Sequence, residues 1–136
     1  MKKVLILCTG NSCRSIIAEA LVNQRLGSKG VRAYSAGSNP SGRVNPNAKK
    51  VLQEAGAWDD AYRSKDIDAV QKEGPFDLVV TVCDNAKEAC PAYPGGKKQI
   101  HVGFEDPDGK PYEAFIMTKE AIESRLLPII EKELEQ

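Results

Sequence analysis

The chain reads as a small doubly wound α/β domain, a four-stranded parallel sheet with helices on both faces. Three observations predict this. Short apolar runs alternate with helix-like stretches along the whole length. The 136 residues suffice for one core, so residues 1–136 form a single domain. No repeat, low-complexity tract or long linker interrupts the pattern, and right-handed crossovers then leave few topologies.

The elements follow in order. Residues 4–7 (Val-Leu-Ile-Leu) form the first strand-like run, and residues 15–26 the first helix. A second strand covers 31–35. Residues 37–44 gather Gly, Ser, Asn and Pro and make a loop. Asn45 is placed to cap the next helix, 47–55, with Pro46 as its first residue. The third strand covers 77–82, followed by a short helical piece after Cys83. A weaker strand lies at 99–102 and a long helix at 113–134, which Pro128 is expected to kink or interrupt.

Composition excludes several classes of function. Nineteen basic and nineteen acidic side chains balance, which points away from nucleic acid and anionic membranes as partners. The few apolar residues after Met1-Lys-Lys are too short for a signal-peptide core, and no run spans a bilayer. A cytoplasmic location is expected, and nothing in the pattern suggests more than a monomer. Four cysteines in a reducing compartment read as catalytic, metal-binding or core residues rather than permanent crosslinks.

The segment Cys8-Thr-Gly-Asn-Ser-Cys-Arg14 carries the most chemistry. It joins the first strand to the N-terminus of the first helix, where backbone N–H groups and the helix dipole favour an anion. Arg14 presents a planar fork to a tetrahedral oxyanion. Cys8 sits beneath as nucleophile, its thiolate favoured by the same field. Gly10 is available for backbone strain, Asn11 for bonding the loop together, and Ser15 for donating to the sulfur. Thr9, Ser12 and Cys13 complete the oxyanion loop. Cys13, beside Arg14, is expected to pack under the loop. The bland alternative is a buried strand-end cysteine and a surface arginine.

Downstream, Gly103-Phe-Glu-Asp-Pro-Asp-Gly109 is an acidic turn. Asp-Pro holds a carboxyl group in a fixed direction, which suits Asp106 to protonating a leaving oxygen. Glu105 and Asp108 read as surface charges. The segment Cys83-Asp-Asn-Ala-Lys-Glu-Ala-Cys90 spaces two further cysteines seven positions apart. If it is helical, seven residues rise by about 10 Å. A disulfide tolerates a Cα separation of roughly 7 Å, so a Cys83–Cys90 bond requires the segment to unwind. The alternatives are two incidental cysteines or a metal site. His101 is the only histidine and Cys-x6-Cys is not a usual zinc spacing. His101, Trp58, Tyr34 and Tyr112 read as packing residues, and the charged end from Glu131 as a solvated helix face.

Cys8-x5-Arg14-Ser15, set between strand and helix, resembles the signature of the low-molecular-weight tyrosine phosphatase fold. Asp106 falls where that fold keeps its Asp-Pro acid. Matches continue at Ala18-Glu19, Tyr34-Ser-Ala-Gly37, Asn45-Pro46, Asp77-Leu-Val-Val-Thr81, Cys83, Cys90-Pro91 and Gly103-Phe-Glu-Asp-Pro107. Together they resemble the thioredoxin-coupled arsenate reductases built on that fold. The resemblance implies that Cys8 attacks arsenate, held by Arg14 and the loop amides, while Asp106 protonates the departing oxygen. Cys83 then attacks Cys8, arsenite leaves, and Cys90 attacks Cys83. Thioredoxin reduces the resulting disulfide. Phosphate and sulfate compete as oxyanions, and no bound cofactor is implied.

Asn11, Glu19 and Ser35 match positions that bind potassium in some members. A lysine at 64–65 competes with a cation there, so no metal is expected. Ile16 stands where these reductases often carry a polar residue, closer to the phosphatases. A phosphatase using Cys8, Arg14 and Asp106 alone, and a non-enzymatic thiol sensor or oxyanion-binding module, remain the alternatives.

Overall fold

Strand β1 (Lys2–Cys8) occupies the middle of a four-stranded parallel sheet, between β2 (Val31–Gly37) and β3 (Leu78–Thr81), with β4 (Gln99–His101) beyond β3. The computed structural model describes residues 1–84, 93 and 96–135. From β1 the chain winds one way to β2 and the other way to β3. The strand order therefore reverses at the carboxyl end of β1, the place where such folds bind ligands.

The apolar run of β1 buries both of its faces. Val4, Ile6 and Cys8 point to one side and Leu5 and Leu7 to the other, as the strand period of two requires. The first side packs against helices α1 (Arg14–Leu26), α2 (Pro46–Glu54), α3 (Tyr112–Ala121) and α4 (Leu127–Leu134), through Ile17, Leu21, Leu52, Phe115 and Ile130. The second side packs against Val70 and Ile67 of a 3-10 helix (Ile67–Glu73) and against Phe76. Tyr34 and Tyr93 meet the Phe76 ring edge-on, with centroids 5.9 and 5.8 Å away.

The expected elements are present, with local differences. The 3-10 helix at Ile67–Glu73 has no 3.6-residue apolar period. Its two packed side chains, Ile67 and Val70, are three apart, the spacing of the tighter helix. Asp66 caps it, accepting from the Ala69 amide at 3.0 Å. The long C-terminal helix is interrupted as Pro128 requires. Pro128 has no N–H for the Ser124 carbonyl, and a wider π-type turn (Ile122–Leu126) precedes α4. The helical piece expected after Cys83 lies outside the described residues.

Strand β2 runs two residues further than the apolar pattern suggests, to Gly37, which pairs with Cys8. A Cβ at Gly37 would stand 2.5 Å from the Thr9 carbonyl oxygen and 3.0 Å from Asn11 Cβ. Glycine is what lets the loop after β1 lie against β2. Gly37→Ala should therefore displace that loop more than it unfolds the protein. The expected result is a stability loss of about 1–3 kcal/mol from overpacking. Affinity for inorganic phosphate, measured by calorimetry, should fall roughly tenfold or more.

Candidate active site

Cys8 is the last residue of β1 and Arg14 the first of α1, so the loop between them is held by an element at each end. Its carbonyls face the outer loop. Cys8 O accepts from Ser38 N (3.3 Å), Thr9 O from Asn39 N (2.9 Å), Gly10 O from Ser41 N (2.9 Å) and Ser12 O from Asn45 N (3.0 Å). Turning successive carbonyls outward presents the opposite, amide side of a loop to an anion.

The strained position is Asn11, not Gly10. Asn11 has φ 48°, in the left-handed region that asparagine tolerates better than most residues. Its buried side chain explains the choice. Oδ1 accepts from the Lys65 amide (2.9 Å), while Nδ2 donates to Ser15 Oγ (2.7 Å) and Ser35 Oγ (3.0 Å). Glycine could turn the backbone but could not make these bonds.

Cys8 Sγ lies 3.0 Å from Ser15 Oγ and accepts from the Asn11 amide at 3.3 Å. Arg14 is 3% exposed. It donates from Nη1 to Phe104 O (3.2 Å), and its Nη2 is 3.5 Å from Asp106 Oδ2. The other Asp106 oxygen accepts from the Asp108 amide at 3.0 Å. Cys8, the loop residues 9–14, Ser41, Asp106 and Asp108 line one cleft of about 260 Å3. The Cys8 sulfur, the Arg14 guanidinium and the Asp106 carboxyl group thus meet around a space fit for a tetrahedral oxyanion.

Two neighbours of the nucleophile play other parts. Burial pushes the Cys13 thiol up to about 12, against a weak contact from Ser12 Oγ at 3.7 Å, and Asp106 and Asp108 raise it further. Cys13 is a buried thiol under the loop, as its position predicts. Glu19 is buried and accepts from Ser35 Oγ at 2.6 Å. Burial raises its pKa, and the positive charge of Lys65 opposes that rise. Burial likewise lowers Lys65, and Glu19 opposes it. Lys65 is the positive charge on which the expectation of no metal rests. Glu19, Ser35, Asn11 and Ser15 link a carboxyl group to Cys8 through side chains alone.

Cys83 follows the end of β3 and is fully buried, held alongside β1 where Val82 N donates to Leu7 O (2.9 Å). The strands are neighbours, as expected, but Cys83 does not line the oxyanion cleft. It is half of a disulfide, whereas Cys8 and Cys13 are free thiols. Cys90 lies outside the described residues. His101 Nδ1 bonds Thr81 Oγ1 at 2.8 Å, Trp58 stacks edge-on against Tyr62, and Tyr112 Oη bonds Glu54. Tyr34 packs on the face of the sheet away from α1. Trp58, Tyr34 and Tyr112 are partly buried packing residues, whereas His101 is exposed.

Reading the sequence missed Ser41; Asp108 is an exposed charge, as expected, and also lines the cleft. Ser41 lies in the outer loop, one polar residue among several, with no local signal. Asp106 closes its own turn, its Oδ1 accepting from the amide of Asp108 two residues on.

The chain matches the family described as low molecular weight phosphotyrosine protein phosphatase over residues 3–136. It is 41% identical over 125 residues to an arsenate reductase of Bacillus cereus, covering 92% of this chain and 91% of that one. The crystal structure of an arsenate reductase from Archaeoglobus fulgidus superposes with TM-score 0.80 at 32% identity, over 94% and 98% of the two chains. A thioredoxin-dependent arsenate reductase from Corynebacterium glutamicum superposes with TM-score 0.75 at 30% identity, over 100% of this chain and 64% of that one.

The contrast between the two free thiols is testable. With Cys13 at about 12, brief iodoacetamide treatment at pH 8 should alkylate Cys8 and leave Cys13 unmodified, as read by peptide mass mapping. Added phosphate should slow the Cys8 reaction.

Proposed function

The chain belongs to the low molecular weight phosphotyrosine protein phosphatase family, and within that family we propose that it is an arsenate reductase that passes its oxidation to thioredoxin. Cys83 carries the reading: a further buried cysteine, already in a disulfide, following the strand that neighbours β1. A phosphatase has no use for it.

Cys8 thiolate attacks arsenate in the cleft, and an oxygen departs as water with the proton of Asp106. Arg14 and the loop amides hold the remaining oxygens. Cys83 thiolate then attacks the Cys8 sulfur. The sulfur–arsenic electron pair leaves with arsenic, which falls from the +5 to the +3 state and departs as arsenite. Two thiols have supplied two electrons as a Cys8–Cys83 disulfide. Cys90 attacks Cys83 and frees Cys8. Thioredoxin then reduces the Cys83–Cys90 disulfide. Cys8, Arg14, Asp106, Cys83 and Cys90 are the residues assigned to these steps, and phosphate and sulfate occupy the same loop in competition. The enzyme works as a monomer in the cytoplasm and needs no bound cofactor. Among the described residues no helix is long and apolar enough to cross a membrane.

One observation favours a second reading. Cys8, Arg14 and Asp106 line the cleft without Cys83, which is all that hydrolysis of a phosphate ester requires. The double variant Cys83→Ser/Cys90→Ser separates the two. A reductase loses multiple turnover of arsenate with thioredoxin and thioredoxin reductase, yet keeps slow hydrolysis of an aryl phosphate. Undiminished arsenate turnover by the double variant would overturn the relay. Asp106→Asn should lower kcat for arsenate roughly 100-fold or more, the usual worth of a positioned general acid. Binding of inorganic phosphate should persist.

A further inference from the structure

The side chain of Asn45 ties three parts of the molecule together. Its Oδ1 accepts from the Asn47 amide (2.8 Å) and caps α2. That bond dictates the orientation of the amide group, so Nδ2 faces outward and donates to Asp108 Oδ1 at 2.7 Å. Its backbone N–H donates to Ser12 O in the oxyanion loop (3.0 Å). Asp108 in turn gives its own amide to Asp106 Oδ1 (3.0 Å). The other Asp106 oxygen, Oδ2, lies 3.5 Å from Arg14.

We propose that Asn45 is a positioning residue for the acid step, a strut that holds the Asp106 turn at fixed distance from the oxyanion loop through Asp108. The connection is short and two-sided. Asn45 bonds the anion loop by its backbone and the acid turn by its side chain, while α2 anchors it. Without the Nδ2 bond, the turn 105–109 loses its side-chain tie to the start of α2 and keeps the Arg14–Asp106 contact. Substrate oxygens compete for that same guanidinium when the cleft is filled. The strut therefore matters most with the oxyanion bound.

This inference rests on the reading of Asp106 as general acid, so the experiment keeps the two apart. Wild type and Asp106→Asn establish that reading first. Asn45→Ser is then the informative variant. Serine caps a helix about as well as asparagine, which preserves α2, but it has no donor to reach Asp108. The expected result is a fall in kcat for arsenate of about three- to tenfold, a fraction of the full effect of a general acid. Affinity for inorganic phosphate, measured by calorimetry, should change less than about twofold, equivalent to under half a kcal/mol. The thermal midpoint should stay near that of the wild type.

The reversed pair Asn45→Asp/Asp108→Asn supplies the control. Aspartate at position 45 caps α2 with one oxygen and accepts with the other from the carboxamide introduced at position 108. The strut is thereby remade with donor and acceptor exchanged. It should recover most of the lost kcat. Wild-type kcat in Asn45→Ser overturns the proposal. So does a loss of kcat matched by an equal loss of phosphate affinity, or a reversed pair no better than Asn45→Ser.

Discussion

The left-handed turn at Asn11 is the constraint on which the rest of the cleft depends. An L-residue at φ 48° sits in a sparsely populated region and stays there only when its surroundings over-determine it. Here three hydrogen bonds on one buried side chain do so. The turn brings the Asn11 amide to Cys8 Sγ and sends its amide group to Ser15, the hydroxyl that also meets the sulfur. Cys8 and the residues that bond its sulfur are therefore placed by one backbone conformation.

That conformation needs support from outside the loop. Gly37 leaves room for the Thr9 carbonyl, and the chain from Ser38 to Asn45 bonds the loop's carbonyls one after another. Lys65 supplies its amide to Asn11 and its charge to Glu19. The same outer chain reaches Asp108 through Asn45, so the acid turn and the anion loop share one support. Arg14 completes the arrangement from the far side, bonded to Phe104 O immediately before the acid turn.

Much of this was legible in the sequence, for reasons that can be stated residue by residue. The run Val4–Leu7 is buried on both faces of a central strand, and continuous apolarity is the mark of such a strand. Asn45-Pro46 announced a helix start, and Pro128 announced the break before α4. Cys8, Arg14 and Asp106 could be found because nucleophile, guanidinium and acid each need a definite residue type at a definite place. What stayed hidden depends on contacts between distant segments. The choice of Asn11 over Gly10 for the strained turn rests on Lys65 and Ser35, which lie 54 and 24 residues away. The strut to Asp108 spans 63 residues, and nothing near Asn45 but its helix cap marks it. The place of Cys83 beside the cleft rather than in its wall is likewise set by the sheet and not by local spacing.

In the proposed relay the phosphatase-like loop binds the oxyanion and carries the attacking Cys8, and Cys83 and Cys90 turn the outcome to reduction. The most direct measurement is mass mapping of the disulfides after fully reduced protein meets arsenate without any reductant. The relay predicts one arsenite per protein, a Cys83–Cys90 disulfide, and Cys8 and Cys13 returned as free thiols. Arsenite release with Cys83 and Cys90 both still reduced, or no arsenite with all four thiols intact, would contradict it.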